Sequence, residues 1–118
     1  MVFDPVALVR RYHAALNRYR AEDIAAMFAA GASYHSPGVG ALEGRDAIIA
    51  AFSVYFAEHP DQHSVDETLV NTGSYSVRSE WRLTATSAST GEAYRRAGSE
   101  TVTFDTDGLI VRVAVEDL

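Results

Sequence analysis

The chain has 118 residues with 16 acidic and 10 basic side chains, a net charge of −6, and no cysteine. That length fits one domain with a core of its own, residues 1–118, and the composition excludes a disulfide framework and a disordered chain. An acidic chain with scattered arginines repels phosphate backbones, so nucleic acid is not an expected partner.

Met1-Val2-Phe3-Asp4 reaches an acid and then Pro5 at once, unlike a secretory leader, and no apolar run approaches about 18 residues. The expectation is a cytoplasmic chain with no membrane partner. A first helix is predicted over 4–20. Asp4 suits the N-cap and Pro5 the first turn, and Val6, Val9, Tyr12, His13 and Leu16 recur at helical spacing. A second helix is predicted from Ala21 to Ala30, ended by Gly31, with Ile24, Met27 and Phe28 on its buried face. A short strand over Ala32–Ser36 and a loop from Pro37 to Gly44 follow. A third helix should run from Arg45 to Glu58, burying Ile48, Phe52, Tyr55 and Phe56, until Pro60 stops it.

Beyond Pro60 the period changes from 3.6 to 2. Strands are predicted at 62–71, 74–87, 92–105 and 109–117, the last two joined by an Asp107-Gly108 hairpin turn. Helices first and antiparallel strands afterwards make an α+β domain, a curved sheet around three helices. Alternation points Tyr75, Val77, Trp81, Leu83 and Ala85 inward. In the following strands it does the same for Gly98, Glu100, Val102 and Phe104, and for Leu109, Val111, Val113 and Val115. Glu100 thus stands on an apolar face, where a carboxylate needs a partner or a function; Arg96, two residues along the same face, is the candidate partner. Phe52, Tyr55, Phe56 and Trp81 either fill the core or line a cavity. The four histidines and the Asp105–Gly108 turn form no convincing metal set, so no cofactor or metal is expected.

The segments Arg11-Tyr12-His13-Ala14-Ala15-Leu16-Asn17, His35-Ser36-Pro37, Leu42-Glu43-Gly44-Arg45-Asp46-Ala47-Ile48, Trp81-Arg82-Leu83 and Phe104–Ile110 resemble the nuclear transport factor two-like superfamily. Within it they are similar to the branch of ketosteroid isomerases and SnoaL-like polyketide cyclases. That resemblance implies a cone-shaped α+β fold, a homodimer and a small apolar ligand, steroid-like or polyketide-like. In the ketosteroid isomerase pattern a first-helix tyrosine and a protonated sheet acid donate hydrogen bonds to an enolate, while an aspartate before a proline moves the proton. Tyr12 and Glu100 match the two donors. Ser36 stands where the aspartate would be, and a hydroxyl is no base unless activated. His35 is adjacent, although alternation turns it away from Tyr34 and Ser36.

The resulting catalytic candidates are Tyr12, Glu100, His35 and Ser36. Tyr34, Phe52, Tyr55, Phe56, Trp81 and Val102 are the candidate substrate-binding residues. Two functions fit: an isomerase or cyclase acting on an apolar carbonyl compound, and a noncatalytic ligand-binding or dimerisation module that has lost its base. The curved-sheet architecture further predicts a cavity of about 300 Å³ or more.

Overall fold

The structure, a computed structural model, describes residues 3–37 and 39–117. Met1 and Val2 of the expected N-terminal reading, and Gly38 of the expected loop, lie outside the described residues. Chain order is α1 (Pro5–Asn17), α2 (Ala21–Met27), β1 (Phe28–Ser36), β2 (Gly40–Glu43), α3 (Arg45–Glu58), β3 (His63–Gly73), β4 (Ser76–Thr86), β5 (Ala93–Phe104) and β6 (Ile110–Asp117). The six strands form one curved sheet in the order β2-β1-β6-β5-β4-β3, antiparallel except where β1 runs parallel to β6. It is the α+β architecture expected, three helices against a mostly antiparallel sheet.

α1 starts where Asp4 accepts a hydrogen bond from the Ala7 backbone N–H at 3.2 Å, with Pro5 at the first helical position. Its far end is tied to β3. The Asn17 Nδ2 donates to the Ser64 carbonyl at 2.9 Å, the Ser64 N–H donates back to Asn17 Oδ1 at 2.9 Å, and buried Gln62 donates to the Leu16 carbonyl at 2.9 Å. These bonds fix the rotation of the helix, and with it the directions of Tyr12 and His13.

Two differences from the sequence reading have physical causes. α2 ends at Met27, and Phe28 already has extended geometry (φ −100°, ψ 140°) opposite Ile110. The helix preference of Ala29 and Ala30 therefore yields to parallel pairing with a strand some eighty residues away. The expected loop also contains β2, which folds back on β1 with Ser36 opposite Gly40. Its Gly-Ala-Leu-Glu sequence carries no strand signal, and it exists because the edge of β1 is there to pair with.

On the inner face Val77, Val102 and Val113 are fully buried, with Phe104, Ile110 and Val115 nearly so. In β6 the inward residue near the start is Ile110 rather than Val111, because the ladder shifts between Thr103 and Phe104. Tyr75 falls in the turn before β4 and is 41% exposed rather than inward.

Candidate functional site

β-sheet register assembles one end of the site. Asp66 on β3 pairs with Trp81 on β4, which pairs with Gly98 on β5, while Ser79 pairs with Glu100 and Glu100 with Val115. These side chains share the concave face, with Glu100 diagonal to Asp66 across β4. α1 crosses above them and lowers His13 between the two carboxylates. The His13 Nδ1 lies 2.7 Å from Asp66 Oδ1 and 2.9 Å from Oδ2, and Nε2 is hydrogen-bonded to Glu100 Oε1. Glu100 is 5% exposed, so its partner is an imidazole from the helix layer and not Arg96, which instead pairs with Asp117.

With an acceptor at each ring nitrogen, His13 satisfies both only as the doubly protonated imidazolium. Burial opposes that charge. The Glu100 charge, hydrogen bonds to Asp66 and Glu100, and the Asp66 charge outweigh burial and push the His13 pKa up to about 10. His13 is therefore a fixed cation at neutral pH and cannot act as a base there.

A cavity of about 80 Å³ opens beside this row. Eight sequence candidates line it together: Tyr12, Tyr34, Ser36, Phe52, Tyr55, Phe56, Trp81 and Glu100. Two do not. Val102 is fully buried in the core and does not line the cavity, because its β5 position lies two residues past Glu100, under the packed helices. His35 is exposed on the outer face of β1, as alternation between Tyr34 and Ser36 requires. The volume falls well below the expected 300 Å³, since Phe52, Phe56 and Trp81 occupy much of the cone. A cavity of roughly 150 Å³ is what admits a benzene, so a steroid does not fit without displacement of lining side chains or of the segment around Val39 at its edge.

Tyr12 is buried next to Glu100, and its pKa is driven well above the usual phenol range by burial, then by the negative charge of Glu100 and by Tyr34. Tyr34 is raised by burial and by Glu100, with Arg96 opposing. Both phenols stay protonated across physiological pH and are available as donors. Among the described residues no group of three or more His, Asp or Glu side chains is arranged to hold a metal ion.

Gly98 makes room for Trp81. A Cβ there would lie 2.6 Å from Trp81 Cζ2, 2.8 Å from Cη2 and 3.0 Å from the Glu116 carbonyl oxygen. Gly98→Ala is expected to push the indole into the cavity and cost about 1–3 kcal/mol. Urea unfolding followed by Trp81 fluorescence measures both effects; an unchanged midpoint with an unchanged emission maximum would show that the close approach is not needed.

Residues that sequence reasoning missed are His13 and Asp66. His13 belongs to the apolar stripe predicted for α1, and Asp66 falls within the strand predicted at 62–71 with nothing to single it out. The signal available was that His13, like Glu100, is a titratable group on an apolar face.

The SnoaL-like domain model matches residues 9–113. No curated protein matches. Among solved structures, the chain is similar to Rv0760c from Mycobacterium tuberculosis, solved in complex with estradiol-17beta-hemisuccinate (TM-score 0.83, 13% identity, 94% of this chain and 91% of that one). It is similar to SalBIII, an epoxide hydrolase/cyclase-like enzyme of pyran ring formation in the polyether salinomycin (0.84, 18%, 95% and 88%). A putative polyketide cyclase from Xanthomonas campestris pv. campestris is a third such structure (0.74, 22%, 92% and 86%). The likeness to these structures is one of fold. The chain belongs to the SnoaL-like domain family, within the nuclear transport factor two-like fold.

Proposed function

We propose that the protein binds a compact, largely apolar carbonyl compound and moves a proton at the carbon next to the carbonyl, as an isomerase or cyclase of its family would. The observation that carries this reading is the buried row Asp66–His13–Glu100 ending on a cavity that Tyr12 and Tyr34 also line. Related structures bound to a steroid derivative or named as cyclase-like enzymes support the ligand class.

The roles differ from those the resemblance implied. Glu100 faces an imidazolium donor, so it acts as an acceptor carboxylate rather than as the protonated donor of an oxyanion site. It is the group in the cavity that can take a proton, which answers the absence of a carboxylate at Ser36. In the proposed step a Glu100 oxygen removes a proton from the carbon between a carbonyl and a double bond. The electron pair shifts toward the carbonyl oxygen, which Tyr12 stabilises by donation, and Glu100 returns the proton at the far end of the conjugated system. His13 and Asp66 are positioning residues: Asp66 holds the imidazole, and the imidazole holds the Glu100 carboxylate in place and offsets its charge.

3-Cyclohexenone, small enough to demand little opening of the cavity, is the test substrate. Its conversion to the conjugated enone, followed by ultraviolet absorbance, is expected with the wild type and should fall by about 10²–10⁴-fold in Glu100→Gln, in line with the worth of a general base. Tyr12→Phe should lose roughly 10²-fold. Wild-type rates equal to those of Glu100→Gln would overturn the catalytic reading and leave a noncatalytic binding module.

A further inference from the structure

We propose that Arg96 is the docking point for a carboxylate carried by the substrate, so that the compound handled here is an oxo acid whose acid group lies several bonds from the reacting carbon, not a neutral ketone. This names the substrate class for the proposed proton transfer and rests on that reading.

Arg96 lines the same cavity as Glu100 but at its other end. Its side chain is only 16% exposed, and its guanidinium carbon lies 5.4 Å from the centroid of the Trp81 ring, which holds the planar group over the opening. Among the described residues its one ion pair is Nη2 to Asp117 Oδ1 at 2.8 Å, and Asp117 is 54% exposed. A contact to a solvated carboxylate is weak, and a ligand carboxylate in the cavity can compete for the planar fork with bidentate geometry.

A second observation points to the same place. The Tyr55 hydroxyl, also at the cavity wall, is buried beside Arg96 and Tyr94. It interacts with both, so the phenol and the guanidinium present their polar groups at the same spot on the wall. A guanidinium with a phenol beside it matches what a carboxylate needs.

The charge distribution then sets the orientation of the ligand. At the inner end the cation of His13 stands between two carboxylates, Asp66 and Glu100, so an acid group entering there would be repelled. Arg96 precedes Glu100 by four residues on the same face of β5, which strand rise converts to about 13 Å at the backbone. A carboxylate held at Arg96 therefore presents a carbon several bonds away to Glu100.

The test uses 5-oxohexanoate and its methyl ester, titrated calorimetrically at pH 7 and low salt. The acid should bind at least about tenfold more tightly than the ester, from the added charge-assisted hydrogen bonds. Arg96→Gln should erase that preference, Arg96→Lys should keep part of it, and Tyr55→Phe should reduce it a few-fold. Thermal melts check that each variant is folded. Equal binding of acid and ester, failure of both to bind at their solubility limits, or a preference that survives Arg96→Gln would overturn the proposal. Its failure is separable from that of the proton-transfer reading. A preference governed by Arg96 without enone formation from 3-cyclohexenone sinks only the catalysis, and turnover of the neutral ketone without any acid preference sinks only the Arg96 site.

Discussion

Replacing His13 with leucine is expected to destabilise the protein by about 3–5 kcal/mol at pH 7, because it leaves the buried carboxylate of Glu100 and the half-buried one of Asp66 with no counter-charge. The effect should depend on pH in a direction fixed by the imidazole. His13 has its pKa raised from 6.5 to about 10 on folding, so between those values the folded state binds the proton that the unfolded state has released. The stabilisation it supplies is fully present below pH 6.5 and is lost as pH rises through about 10, at a slope of up to about 1.4 kcal/mol per pH unit. Wild-type stability should therefore fall across that window, and the gap between wild type and His13→Leu should narrow. Urea unfolding at a series of pH values from 6 to 10 reads both. Should the leucine variant fail to fold, Asp66→Asn leaves one acceptor in place and should show a smaller loss with the same sign of pH dependence. Stability curves that stay flat from pH 6 to 10 in both proteins would mean that the imidazole is not held as a cation.

The fold was largely legible because its determinants are local and periodic. The α1 stripe, the Pro60 stop, the period-2 strands and the Asp107-Gly108 turn each announce an element through nearby residues. What escaped was non-local. β2 is a strand only because β1 offers an edge, and Phe28 leaves the helix only because Ile110 waits for it. The candidate site divides along the same line. Strand parity put Trp81, Gly98 and Glu100 on the inner face, and likewise placed His35 outside. The partner of Glu100 could not be read that way. Arg96 is near it in sequence and on its face, whereas His13 is 87 residues away and reaches it only once Asn17 and Gln62 have locked the rotation of α1 against β3. An ion pair between layers leaves no spacing in the sequence. The cavity size escaped for a related reason: parity says which side chains point inward but not how completely Phe52, Phe56 and Trp81 fill the space they share.

Moving the base across the cavity gives the sharpest test of what Glu100 does. Ser36 is 2% exposed, lines the same cavity and stands before Pro37, where the resembled isomerases carry their proton-moving aspartate. In a Glu100→Gln background proton transfer from 3-cyclohexenone should be nearly absent. Adding Ser36→Asp restores a carboxylate two strands away on the same sheet face, still within the cavity lined by Tyr12 and Tyr34, and should recover about 10²–10⁴-fold of the lost rate. The same substitution in the wild-type background should help far less. There it buries a second carboxylate in a cavity whose cation, His13, already serves Asp66 and Glu100, so it should lower stability by about 1–3 kcal/mol. In the double variant that penalty should shrink, because the glutamine removes one of the competing charges. The rate recovery is read from enone absorbance and the penalty from urea midpoints, with 3-cyclohexenone binding checked by calorimetry. A folded double variant that binds the ketone yet shows no recovery would mean that the reacting carbon does not sit between positions 36 and 100, and that the proton path proposed through Glu100 is wrong.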